Sequence, residues 1–400
     1  MDPGANVLKL VEKTSHFDKD ERYMATSDII GLLKKESKME SFIEQRVCAA
    51  ILRQLNDSSA DVQAVAIKCI GELTNRVQEA QLREICSALS SALLGENEQL
   101  KDIYSIGLKT TVSGVPAHMG HAVAHELAPQ LIRGIQSDNS ESETVREECL
   151  DVMKDLVERF GLEMEGHHET IIGLVMEQLS NRKAAISKRA TSCIGALSVV
   201  LSDTMLHRLM GTLLKCIEKP RGDQDVRVLI QTIGMISRSV GFRLGIHLPS
   251  IIPLFLSHLE GPGSGDEDEQ NEELDDLREN ILHAFESFAM RCPKETEAFQ
   301  DELIEACLRF MTHDPNYNYS DSDEEDEEYS DDDYSDGEYS DDDDTSWKVR
   351  RASIKVLRAF VVSNQGGLGD FYDRCSIPLV ERFKEREDSV KLDVLGCVKE

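Results

Sequence analysis

The sequence predicts an all-α solenoid of about nine helical pairs, on three observations. A short pattern, roughly D-V-R-x-x-A-x-x-x-[IL]-x-x-[LF], returns nine times along the 400 residues. Between successive copies lies a second apolar pattern of helical period. The alternating β-branched runs that would signal a sheet are missing.

The copies are DERYMATSDII (20–30), DVQAVAIKCIGEL (61–73), QLKDIYSIGL (99–108), TVREECLDVMKDL (144–156) and AISKRATSCIGAL (185–197). They continue with DVRVLIQTIGMI (225–236), DLRENILHAF (276–285), KVRRASIKVL (348–357) and SVKLDVLGCV (389–398). Anchored at Glu21, Val62, Leu100, Val145, Ile186, Val226, Leu277, Val349 and Val390, they stand 41, 38, 45, 41, 40, 51, 72 and 41 residues apart. Six of these intervals fall in or near the period of about 40–47 residues typical of HEAT and armadillo repeats. The two long ones contain acidic inserts, an acidic Gly-rich one at 261–275 and an acidic Tyr/Ser one at 315–345. The longer insert falls between the first (A) and second (B) helices of the eighth repeat.

The A helices carry their own stripe, as in FIEQRVCAAILRQL, where Phe42, Ile43, Val47, Ala50, Ile51 and Leu55 share one face. Three of them contain a proline in apolar surroundings, LAPQLI (127–132), IIPLFL (251–256) and SIPLVERF (376–383). Proline deletes one backbone donor and bends a helix, which suits the curved first helix of such a repeat. Residues 1–400 therefore read as one HEAT-like solenoid with two disordered inserts. At its far end Val390, Val394, Leu395 and Val398 are expected to lack a following pair, as if the array continued on a longer protein or met a second chain.

The net charge of −31 is concentrated in the inserts. Residues 266–276 hold eight acids and residues 321–344 sixteen, without a Lys or Arg, and setting these aside leaves −7. Such a chain repels phosphate backbones, so a basic protein suits it better as a partner than nucleic acid does. The ten cysteines are scattered singly among apolar residues without a C-x-x-C pair, and read as reduced core residues. The start, MDPGANVLKLVEK, has no secretory pattern, and runs such as IIPLFL are too short to span a bilayer, so a soluble intracellular protein is expected.

Chemistry-bearing motifs are sparse. His121 and His125 stand at the i, i+4 spacing of a zinc pair, but the glutamate of H-E-x-x-H and a third ligand are missing, and a polar helix start is the plainer reading. GPGSGDEDE (261–269) lacks the G-K-[ST] of a phosphate loop, and its acids would repel an anion. No nucleophile elbow is present. A non-enzymatic protein without metal or cofactor is expected.

Basic residues recur just after the anchors: Arg22, Lys101, Arg146, Arg227, Arg278 and Arg350. They form either a row facing a partner or a ladder of ion pairs stitching neighbouring repeats, and the ladder is favoured. Arg22, Lys101 and Arg227, at the starts of B helices, are candidate protein contacts, with Asp341, Asp342 and Asp343 of the long insert. Ser320, Ser322, Ser330, Ser335 and Ser340 each precede an acid by three residues, the pattern acidophilic kinases prefer, and are candidate phosphorylation sites. Beyond the aspartates, Thr345 or Ser346 is placed to cap the next helix, opened by Trp347, the chain's one tryptophan.

DPNYNY (314–319), the acidic run and EYSDDDDTSWKVRRA (338–352) together resemble the cullin-associated, neddylation-dissociated family, the HEAT-repeat exchange factors of cullin-RING ubiquitin ligases. KDERYMATSDI (19–29), EQLKDIYSIGLKT (98–110), AFESFAMRCPKE (284–295) and RFKEREDSVK (382–391) extend the likeness in order along the chain. GPGSGDEDEQNEE (261–273) departs from it.

The resemblance, to the early part of that family, implies a non-enzymatic regulator in cytoplasm and nucleus. Its concave B-helix surface would hold the C-terminal region of an unmodified cullin with its RING subunit and mask the cullin's modification lysine. The family's later repeats compete with the substrate-receptor adaptor, so full receptor exchange implies a second chain supplying them. An importin-β-like transport receptor, also a HEAT solenoid with an acidic loop near a tryptophan, is the alternative.

Overall fold

Apolar residues recurring at three- and four-residue intervals drive nearly all of the described chain into helix. The computed structural model describes residues 3–35, 39–136, 143–220, 225–261, 271–313 and 345–400. Asp341, Asp342, Asp343 and the five candidate serines lie outside the described residues, as do residues 262–270.

The first of two compact units is Met1–Leu209. It holds α1 (Pro3–Lys13) with α2 (Lys19–Lys35), α3 (Ser41–Gln54) with α4 (Ala60–Thr74), and α5 (Glu79–Leu93) with α6 (Lys101–Gly114). Two further pairs are α7 (Gly120–Gln136) with α8 (Glu143–Phe160) and α9 (His168–Gln178) with α10 (Ala184–Val200). The unit boundary falls within α11 (Asp203–Glu218). The second unit, Met210–Glu400, contains α12 (Val226–Val240) and α13 (Leu248–Leu259) with α14 (Asn271–Arg291). After the four-residue α15 (Pro293–Thr296) come α16 (Gln300–Phe310) with α17 (Ser346–Ser363) and α18 (Leu368–Glu381) with α19 (Asp388–Lys399).

Each unit has a layer of B helices packed side by side: α2, α4, α6, α8 and α10 in the first, α12, α14, α17 and α19 in the second. In the first unit the A helices α1, α3, α5, α7 and α9 form the matching layer. All nine anchors lie at the start of a B helix, Leu100 in the 3-10 turn just ahead of α6. Val62, Val145, Ile186, Val349 and Val390 are buried, while Glu21, Leu100, Val226 and Leu277 are half-buried because their repeats turn a polar edge there.

The stripe on α3 is corrected at one position. Ile43, Val47, Ala50, Ile51 and Leu55 are buried, but Phe42 is 62% exposed. Phe42 is the second residue of α3, at the helix entry, where it lies outside the strip that buries Ile43 and Val47. Pro129, Pro253 and Pro378 sit inside α7, α13 and α18 as expected.

In the second unit Phe255, Phe285 and Phe288 meet with ring centroids 6.1–6.3 Å apart, joining α13 to α14. Each such ring, fully buried, stabilises the fold by about 1.5–3 kcal/mol. Close approach fixes Gly120 at the start of α7, where a Cβ would lie 2.4 Å from the Phe160 ring. Read together, Val226–Leu259 is apolar enough to cross a membrane by length and composition. It is two helices, broken at Gly241 with φ 59°, and Ile230, Ile233, Ile252 and Phe255 are buried in the core.

Two further expectations change. Residues 271–275, read as part of the first insert, belong to α14, whose acidic first turn suits the positive helix end. Val390 and Val394 are fully buried, because α19 packs on α17, while Leu395 and Val398 are about half exposed.

Candidate protein-interaction face

Five of the six recurring basic residues turn back into the stack, and Arg227 is the exception. Arg22, near the start of α2, donates from Nε and Nη2 to Asp57 at 2.6 and 2.7 Å, and from Nη1 to the carbonyls of His16 and Phe17. Asp57 lies between α3 and α4, so the contact ties the turn of the first repeat to the turn of the second. Burial would raise the Asp57 pKa, but Arg22 and the Ser59 N–H hold it below the ordinary carboxylate value.

Arg350 repeats the design deeper inside. Its Nε and Nη2 donate to Glu385 at 3.0 and 3.2 Å, and Nη1 donates to the His313 carbonyl at 3.0 Å and to Ser346 Oγ at 2.7 Å. The two side chains are 1% and 2% exposed. Burial pushes the Glu385 pKa up, yet Arg382 and Arg350 overcome it and hold the group low. Ser346 is thus engaged by Arg350, and Thr345 makes no side-chain capping bond.

The other four are variations on the theme. Lys101, 2% exposed, donates to the carbonyls of Leu93 and Gly95 at 3.2 and 2.7 Å, closing the loop between α5 and α6. Arg146 donates to the Ile135 carbonyl at 3.2 Å. Arg227 embraces Asp225, the residue that caps its own helix. Arg278 donates to Asp275 at 3.1 Å, and His313 from the next repeat reaches the same carboxylate at 2.8 Å. The geometry therefore gives Arg22 and Lys101 a task inside the stack, and leaves Arg227 the most accessible of the three candidate contacts.

A second ladder, which the anchors did not reveal, joins successive B helices within each unit. In the first unit Lys34 of α2 pairs with Glu72 of α4 at 3.6 Å, and Lys109 of α6 with Glu148 and Asp151 of α8 at 3.5 and 3.3 Å. Arg189 of α10 meets Asp151 at 3.1 Å, and Lys183 meets Glu147 at 2.6 Å. The paired side chains alternate in sign from helix to helix. In the second unit Arg351 and Arg358 of α17 reach Asp393 and Glu400 from α19, each at 2.7 Å. Each exposed rung contributes under about 1 kcal/mol, but the alternation sets the register of neighbouring helices.

Between α14 and α17 the rungs stay apart and a groove opens, lined by Glu279, His283, Trp347, Lys348, Arg351 and Lys355. His283 stands between Glu279 and Glu286 at 3.5 and 3.3 Å, and these carboxylates raise its pKa to about 9, so it is charged at neutral pH. On α7, His121 and His125 are exposed with stacked rings 6.2 Å apart. Among the described residues no group of three or more potential metal ligands forms. All ten cysteines are free, nine of them buried, and burial raises thiols such as Cys48, whose pKa is pushed up to about 12.

No family model matches the chain. Sequence relatives do. The chain is 38% identical to the cullin-associated NEDD8-dissociated protein 1 of Arabidopsis thaliana, over 95% of this chain and 31% of that protein. It is 37% identical to the cullin-associated NEDD8-dissociated protein 2 of Mus musculus, over 98% of this chain and 32% of that one. The chain thus spans about a third of the length of these relatives. In Emericella nidulans two separate relatives, an N-terminal part and a C-terminal part of cullin-associated NEDD8-dissociated protein 1, match 63% and 33% of this chain at 26% and 36% identity.

Among solved structures, the karyopherin Kap121p bound to the extreme C-terminus of the protein phosphatase Cdc14p superposes with a TM-score of 0.67. The match covers 99% of this chain and 38% of that one at 10% identity. Kap95p with RanGDP gives 0.64 at 12% identity, over 99% and 47%. The fold is that of HEAT-repeat solenoids.

Proposed function

We infer that this chain, a sequence relative of the cullin-associated NEDD8-dissociated proteins over nearly its whole length, is a non-enzymatic regulator of cullin-RING ubiquitin ligases in cytoplasm and nucleus. It binds the unmodified cullin with its RING subunit, covers the cullin's modification lysine and takes part in substrate-receptor exchange. The observation that carries the reading is 38% identity sustained over 95% of the chain. The B helices of the first unit support it: their sign-alternating polar contacts hold α2 with α4, and α6 with α8 and α10, in register, and present a row of polar groups on which small contributions add. The two-part relatives of Emericella nidulans support a further partner, a second chain carrying later repeats.

Likeness to the karyopherins, at 10–12% identity, is a likeness of fold and does not carry transport with it. A pull-down comparing unmodified with NEDD8-modified cullin tests the reading. Capture of the unmodified form is expected, and equal capture of both, or of neither, overturns it. Deleting residues 320–343 in the same assay decides whether Asp341, Asp342 and Asp343 belong to the contact, since unchanged capture removes them from it.

A further inference from the structure

The groove between α14 and α17 has a charge balance opposite to that of the chain as a whole. Lys348 and Lys355 line it two turns apart on one face of α17; among the described residues neither makes a hydrogen bond or close ion pair through its ammonium group, and both act on Glu279, and Lys355 on Glu286, only through space. Arg351, between them, is engaged by Asp393 at 2.7 Å. On the α14 wall both carboxylates bond His283; Glu279 also feels Lys348 and Lys355, and Glu286 feels Lys355 and then Arg238 from α12. Counting His283, which is charged below about pH 9, the lining itself carries four cations (His283, Lys348, Arg351, Lys355) and one carboxylate, Glu279, while Glu286 and Asp393 engage His283 and Arg351 from outside it. A local positive surplus on a chain of net charge −31 is not required for solubility. It also differs from the neighbouring rungs, where each base has found its acid.

From the four cations of the lining, with Lys348 and Lys355 in no close ion pair beside Trp347, we propose that this groove docks an acidic peptide segment of a partner protein. Carboxylates of the segment bridge the two lysines, and an aliphatic or aromatic neighbour rests on the half-buried indole. This surface is distinct in charge from whatever receives a basic cullin region, and it stands or falls without that reading.

The chain's one tryptophan makes the test direct, because all indole emission comes from the groove wall. A capped twelve-residue peptide of alternating Asp and Glu is titrated into the full chain while Trp347 emission is followed. A saturable change is expected, weakening as salt rises. It should be about tenfold weaker in K348A/K355A, the loss of two exposed charge contacts. Lys355→Gln alone, a milder change, should give an intermediate affinity, and unfolding midpoints equal to the parent's confirm that both variants fold. The proposal is overturned by the absence of saturation, by undiminished binding to K348A/K355A, or by an equal response to a twelve-lysine peptide. It is overturned too if saturation appears only after the sixteen acids of residues 321–344 are replaced by Asn and Gln, since the groove then answers to the chain's own tract.

Discussion

Arg22 and Arg350 occupy the same position in the first and eighth repeats and make the same contacts at different depths. Both send two nitrogens to a carboxylate in the following repeat's turn and a third to a carbonyl of their own. Arg22 and Asp57 retain 13% and 9% of their side-chain exposure, whereas Arg350 and Glu385 retain 1% and 2%. Water can still reach the first pair when one partner is lost. In the second pair a missing partner strands a charge in the interior, so the same geometry has a much steeper penalty for error.

The largest expected effect is therefore at Arg350. Replacing it with Ala strips the buried Glu385 of its two-nitrogen partner and leaves only Arg382 and the N–H groups of Arg386 and Glu387 to offset its charge, and should cost about 3 kcal/mol in urea unfolding. If that loss reflects a stranded charge, R350M/E385M should recover most of it by removing both charges together; a double variant as unstable as the single would break the comparison. Arg22→Ala should follow with a clearly smaller loss in the same assay, and equality with Arg350→Ala would show that depth is irrelevant. Arg227→Ala, which removes an exposed pair within one turn, should cost at most about 1 kcal/mol.

Acidity and alkalinity separate the regions differently. Asp57 and Glu385 both titrate below the ordinary carboxylate value in the folded chain, so their contribution is complete above about pH 4.5 and is lost as pH falls through those lowered values. His283 is raised from 6.5 to about 9, so its contribution is complete below about pH 6.5 and is lost as pH rises through about 9. The unfolding midpoint should accordingly decline between those alkaline limits, and His283→Gln should flatten that slope while leaving the acid limb intact.

The helical pairs were legible because burial recurs every 3.6 residues within a helix and every forty or so between repeats. Prolines at 129, 253 and 378 marked the A helices for a backbone reason that needs no partner. Side-chain partners were harder, since an ion pair leaves no local periodicity. A signal was nevertheless present at long range: Arg22 and Asp57, Arg278 and His313, and Arg350 and Glu385 are each 35 residues apart. That interval is nearly one repeat, from the start of one B helix to the turn before the next. The groove at Trp347 could not be read at all, because whether Lys348 and Lys355 close an ion pair with the acids of α14 depends on how far apart α14 and α17 stand.

One guanidinium joins His313, the residue just before positions 314–344, to Ser346, the second residue after them. Thirty-one intervening residues thus depart from and return to a single chemical fixture, and the repeats register only the two ends. Bringing the ends of a chain together costs only about 0.6 kcal/mol more for each doubling of the length between them. Lineages should therefore be free to lengthen, shorten or recompose that interval while the flanking helices stay under tight selection, making Arg350 the hinge-pin of an evolutionarily open port.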